Sequence, residues 1–165
     1  MNELRILTRR PSLIVGVAGP VLLGAWTGVP PTPDDVVACL APLIREASKS
    51  GRYGLVVAVH PAASLPDEHV RAAIAQEMRK LDPHLACGAT VIARGGFSGA
   101  AARAVASTLQ LLVRTGHPEK IVSTGLEAAR FVAGELAGDQ AGRISVEEIA
   151  AAYDELTRDA WRDAR

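Results

Sequence analysis

Apolar residues change their spacing along this chain so that strand-like and helix-like segments alternate. Glu3 to Arg9 has period two, with Leu4, Ile6 and Thr8 on one face and Arg5, Leu7 and Arg9 on the other, which predicts a strand. Arg10-Pro11-Ser12 reads as a turn. Leu13 to Ala18 is a second, more buried strand, antiparallel to the first. Gly19 to Pro33 reads as an apolar, Gly/Pro-rich connection. It carries Val21, Leu22, Leu23 and Trp26, more large apolar groups than an ordinary loop exposes.

Asp34 to Ser50 predicts a helix with Thr32 or Pro33 at its start. Asp34 and Asp35 favour its positive end, and Val36, Val37, Leu40, Leu43, Ile44 and Ala47 form the apolar stripe. Pro42 bends this helix or shifts its start, and Gly51 ends it. Tyr53 to Val59 is a near-continuous apolar run, as in a central strand covered on both faces. A loop from His60 to Leu65 precedes a helix from Pro66 to Leu81, and Leu85 to Ala93 is the next buried strand. Gly95-Gly96-Phe97-Ser98-Gly99 turns into a helix from Ala100 to Thr115, whose second half around Leu111 is apolar nearly all round. Glu119 to Ser123 is a short strand, and Thr124 caps a helix from Leu126 to Leu136. Ser145-Val146-Glu147-Glu148 is a capping box that opens a last amphipathic helix bearing Tyr153, Leu156 and Trp161. The expected organisation is an α/β domain over residues 1–137, then a linker and C-terminal helix over 138–165.

Composition narrows what such a domain could do. The chain has 165 residues, long enough for one core, and only 4% are aromatic, so that core is built from Val, Leu, Ile and Ala. Eighteen basic and eighteen acidic residues cancel, which leaves no global field for nucleic acid or an anionic membrane. Cys39 and Cys87 lack CxxC spacing and read as buried apolar groups in a reducing, cytoplasmic setting. The uncharged stretch after Thr8-Arg9-Arg10 looks superficially like a twin-arginine signal or short anchor. Pro20, Pro30, Pro31 and four glycines interrupt it, so the soluble reading is preferred.

No motif carries a clear chemistry. Gly95, Gly96, Ser98 and Gly99 follow a strand and open a helix, where backbone N–H groups could hold an anion; a tight turn is the plainer reading. Gly96-Phe97-Ser98-Gly99 misses the nucleophile-elbow spacing by one residue. His60, His69, His84 and His117 have no metal-ligand spacing. No catalytic residue, metal or cofactor is assigned.

The order ββαβαβαβα resembles the STAS, or SpoIIAA-like, family of bacterial regulatory domains. The likeness rests on the strand pair ending in Gly19-Pro20, on the strand entering Gly95-Gly96-Phe97, and on Lys120-Ile121-Val122-Ser123-Thr124-Gly125-Leu126-Glu127-Ala128-Ala129. It implies a mixed sheet with helices mainly on one face and non-enzymatic protein–protein signalling. In the best-known members a serine in an Asp-Ser-Ser-Gly-like motif is phosphorylated. That motif is absent here, and Ser64 is the hydroxyl nearby. The lipid-binding SEC14-like domains share a related alternation. Two functions are therefore expected. One is a regulatory module, dimeric or partner-bound, that uses Leu22, Leu23, Trp26, Leu111, Tyr153 and Trp161. The other is a small-molecule or lipid carrier with a pocket between the sheet and the long helices.

Overall fold

A computed structural model of the chain describes residues 2–49, 51–93, 96–113, 116–138 and 143–162. One mixed sheet of six strands runs through it in the order β1-β2-β3-β4-β5-β6. The strands are β1 (Arg5–Arg9), β2 (Leu13–Ala18), β3 (Val21–Trp26), β4 (Tyr53–Val59), β5 (Leu85–Ile92) and β6 (Glu119–Val122). The helices are α1 (Pro33–Ala47), α2 (Glu68–Leu81), α3 (Gly96–Val113), α4 (Gly125–Leu136) and α5 (Val146–Ala160). The first three strands form an antiparallel meander, and β3 to β6 are parallel. Helices α1, α2 and α3 make the successive crossovers between the parallel strands, as parallel pairing requires.

Strand β3 corrects the expectation of a connecting loop from Gly19 to Pro33. Val21 to Trp26 pairs on both sides, with β2 antiparallel and with β4 parallel. Gly19-Pro20 is the two-residue turn of a tight hairpin, closed by Ala18 opposite Val21. Gly19 has φ +52°, and proline cannot adopt positive φ, so the pair has the sign pattern of a type II′ turn. A strand covered on both faces reads as an apolar run without alternation, and Val-Leu-Leu-Gly-Ala-Trp is such a run.

The helices lie on both faces of the sheet, not mainly on one. On the first face Val36, Leu40 and Leu43 of α1 and Val70 and Leu81 of α2 pack on Leu13, Val15, Leu22 and Leu55. On the second face Val132 and Leu136 of α4 and Ile149 and Leu156 of α5 pack on Leu23, Ala25, Val56 and Cys87. Helix α5 is thus part of the core. Its start has both reciprocal bonds of the capping box, Ser145 to the Glu148 N–H and Glu148 to the Ser145 N–H. Glu148 also accepts a bond from the Asn2 N–H at 3.0 Å, which ties the last helix to the start of the chain.

A bulge in β1 adjusts which face each side chain meets. The register shifts between Ile6 and Thr8. Arg5 consequently pairs with Glu46 of α1 on the first face, while Arg9 pairs with Asp159 of α5 on the second. Helix α1 starts where the sequence suggests: the Thr32 hydroxyl accepts from the Asp35 N–H at 3.2 Å, and Pro42 is accommodated inside the helix. The Asp35 carboxylate is buried and accepts from Ser12 Oγ at 2.7 Å and Arg10 Nε at 2.9 Å. The Ser12 hydrogen bond, aided by the Arg10 guanidinium, outweighs burial and holds this carboxyl below its ordinary range.

Candidate functional site

The two faces are packed differently. On the second face, the backbone of β4 approaches α4 so closely that a Cβ on Gly54 would lie 2.5 Å from Val132 Cγ1. A Cβ on Gly125, at the start of α4, would lie 2.3 Å from the Tyr153 ring. Only glycine allows these approaches.

On the first face small residues have the opposite effect. Gly24 of β3 leaves the sheet surface bare, the Glu119 side chain lies over Gly88 of β5, and α3 presents Ala102 and Ala106 above this floor. A Cβ on Gly24 would meet nothing closer than Val15 Cγ1 at 3.8 Å. The result is a cavity of about 190 Å³ between the sheet and helices α1, α2 and α3. Val57 and Thr90 belong to interior strands, where complete burial is the rule, yet both are only half-buried because they face this space. Ile74 and Met78 of α2 close one side.

The cavity runs along β5 from Ile92 towards Gly88, a span of about 13 Å for four strand residues. Its mouth lies at the C-terminal ends of the parallel strands, where Val29 and Leu65 are exposed apolar side chains on two loops. Ligands of open α/β sheets bind at this end of the strands. The inner end is bounded by Val113 and Glu119. Among the described lining residues the polar side chains are Ser64 at the mouth, Thr90 on the floor, Glu119 at the inner end and the Trp26 indole. No other described residue hydrogen-bonds the Thr90 hydroxyl.

Glu119 belongs to a second group of titratable residues. His117, buried just before β6, has Nε2 2.8 Å from Asp82 Oδ1 and 3.7 Å from Glu119 Oε1. The contact ties the short 3-10 turn after α2, Asp82–His84, to β6 beneath the cavity. Among the described residues no three His, Cys, Asp or Glu side chains converge as a metal site, and no helix is long and apolar enough to cross a membrane.

The residues expected at a partner surface are placed as follows. Leu22 and Leu23 are fully buried in β3, one on each face, so they pack the chain's own core and cannot form a surface loop. Tyr153 is buried against α4, and burial pushes its phenol up to about 12. Trp26 lies at the cavity mouth, where its carbonyl accepts a hydrogen bond from Trp161 Nε1 at 2.9 Å. Trp161 in turn meets the His60 ring edge-on at 5.2 Å between centroids. The C-terminal helix therefore braces the mouth from behind. Ser64 is exposed on the loop before α2. Gly95 lies outside the described residues, as do the side chains of Ser98 and Leu111 and the surroundings of Gly96. Gly99 is buried in the first turns of α3. Sequence reasoning missed Gly24, Gly88, Thr90, Ala102 and Ala106. Two glycines and a threonine inside apolar strands were the available signal.

Comparison with protein-family models, with curated proteins and with solved structures finds no match for this chain.

Proposed function

We propose that this protein is a binding module for a small apolar molecule, held between the sheet and helices α1, α2 and α3, and that it acts by binding rather than by catalysis. The carrying observation is the cavity itself, with Val57 and Thr90 of interior strands left open to it. Leaving this apolar lining open to solvent forgoes burial, worth about 25 cal/mol for each Å² of apolar surface left uncovered. A bound molecule would repay that cost. The mouth at the strand C-termini and the apolar lining fit the general form of ligand sites.

The competing reading is the regulatory module that resembles STAS domains, acting through a protein partner or a second copy in the cytoplasm. The order expected from the sequence carried that resemblance; the structure adds strand β3 and places helices on both faces, and the expected contact residues Leu22, Leu23 and Tyr153 are used inside the chain. One experiment separates the two. The full chain would be affinity-purified from its source cells, and its small molecules and proteins identified by mass spectrometry. An enriched apolar small molecule, lost in Gly24→Val, supports the carrier. A stoichiometric protein partner with no enriched small molecule refutes it.

A further inference from the structure

Resting on the reading above, we infer that the ligand is uncharged, of one-ring or medium-chain size, and carries a single hydroxyl or carbonyl that hydrogen-bonds Thr90. Three observations support this. The first is size. At about 190 Å³ the cavity is somewhat larger than the roughly 150 Å³ that encloses a benzene molecule, so one ring with a substituent, or a chain of similar bulk, fills it.

The second is charge. Among the described lining residues there is no lysine, arginine or histidine to receive an anion, and the carboxylate at the inner end is an acid. An anionic ligand would lose its hydration without a compensating cation among these residues and would approach Glu119. Among the described lining residues the one carboxylate a cationic ligand could meet is Glu119, which already lies within 3.7 Å of His117. Its charge would also have to cross an apolar lining to get there.

The third is the Thr90 hydroxyl. It stands on β5 between Gly88 and Ile92, half-buried and without a hydrogen-bond partner among the described residues. A ligand that fills the cavity shuts water out, so this hydroxyl must then bond to the ligand or go unsatisfied. A neutral hydroxyl or carbonyl group matches it, since threonine both donates and accepts. Apolar walls supply affinity, and Thr90 sets orientation.

The test is a titration of the full chain at pH 7.5, read by amide shifts of Gly24, Gly88 and Thr90. The probes are p-cresol, toluene, 4-methylbenzoate and 4-methylbenzylamine. The expected result is that p-cresol and toluene bind, with both ions weaker than p-cresol by about tenfold or more. Thr90→Val should weaken p-cresol about fivefold and leave toluene unchanged within about twofold. Gly24→Val, which projects into the void, should abolish binding of both while keeping a folded spectrum. Either ion binding as tightly as p-cresol overturns the uncharged class. An unchanged p-cresol affinity in Thr90→Val overturns the role of Thr90. If no probe shifts these amides, the underlying cavity reading falls as well.

Discussion

Two glycines on neighbouring strands should respond to the same substitution with opposite sign. Gly24 faces the cavity, and a Cβ there would make only ordinary contacts, at 3.8 Å to Val15 Cγ1 and 3.9 Å to Leu13 Cδ1. Gly54 faces α4, and a Cβ there would lie 2.5 Å from Val132 Cγ1 and 3.3 Å from Leu136 Cδ1. Alanine in place of a strand glycine gains about 0.5–1 kcal/mol through the unfolded chain's lost freedom. At Gly24 the new methyl also enters an apolar void, worth up to about 0.8 kcal/mol. Gly24→Ala is therefore expected to stabilise the protein by about 1–1.5 kcal/mol, a rise in Tm of roughly 3–5 °C for a chain of this size. At Gly54 the same backbone gain is opposed by overpacking of about 1–3 kcal/mol. The contact is between a backbone-fixed Cβ and a β-branched side chain in a full core, so Gly54→Ala should lower stability by roughly 1–2 kcal/mol. Urea unfolding of the three ligand-free proteins, followed by circular dichroism, measures both. Gly24→Ala at or below the parent stability, with an unchanged m-value, would refute the open-floor account of the first face.

Two further predictions concern groups outside the cavity. Asp35→Asn should cost about 1–3 kcal/mol at neutral pH, because Ser12 and Arg10 would lose a charged acceptor. The folded-state pKa of Asp35 lies below its ordinary value of 3.8, so its stabilisation is complete above that value and fades as pH falls through the folded value. The gap between parent and variant in urea unfolding should accordingly be larger at pH 7 than at pH 3, and an equal gap at both would contradict the charge-based account. Cys39 and Cys87 are buried on opposite faces of the sheet, and burial pushes their thiols up to about 11 and about 12. A thiol-disulfide reagent at pH 8 should label neither in the folded protein and both in urea, and rapid labelling without denaturant would show one of them to be accessible.

What the chain discloses about its own fold follows from where local signals agree with tertiary demand. Tyr53–Val59 and Leu13–Ala18 were legible to the residue, since each is an apolar run bounded by turn residues. Helices α4 and α5 announced themselves through Thr124 and Ser145, whose side chains make the expected caps. Strand β3 was hidden because Gly19-Pro20 and Gly24 resemble punctuation in a loop. Its partners lie in β2 and, across α1, in β4, and the pairing with β4 cannot be seen in a local window. Helix α5 was ambiguous for a related reason. Its apolar side fits a partner groove and the sheet's second face equally well, and only the folded chain shows Ile149 and Leu156 on Leu23 and Ala25. The cavity was the least legible part. It arises where Gly24 on the sheet faces Ala102 and Ala106 on α3, small residues far apart in sequence that only the crossovers bring together.

The contrast between the two faces bears on function more than either face alone. The chain can pack tightly: on the second face its glycines admit Val132 and Tyr153 to distances that no other residue would permit. On the first face Gly24 instead leaves room. Gly24→Ala would stabilise the protein at no steric cost, so the empty floor is not imposed by the backbone. A fold that closes one face to van der Waals limits and holds the other open over interior strands has a void in a particular place, beneath a mouth rimmed by Val29 and Leu65 and braced by Trp161. Binding offers a reason for that asymmetry, because stability given up in the empty state is regained when the cavity is filled.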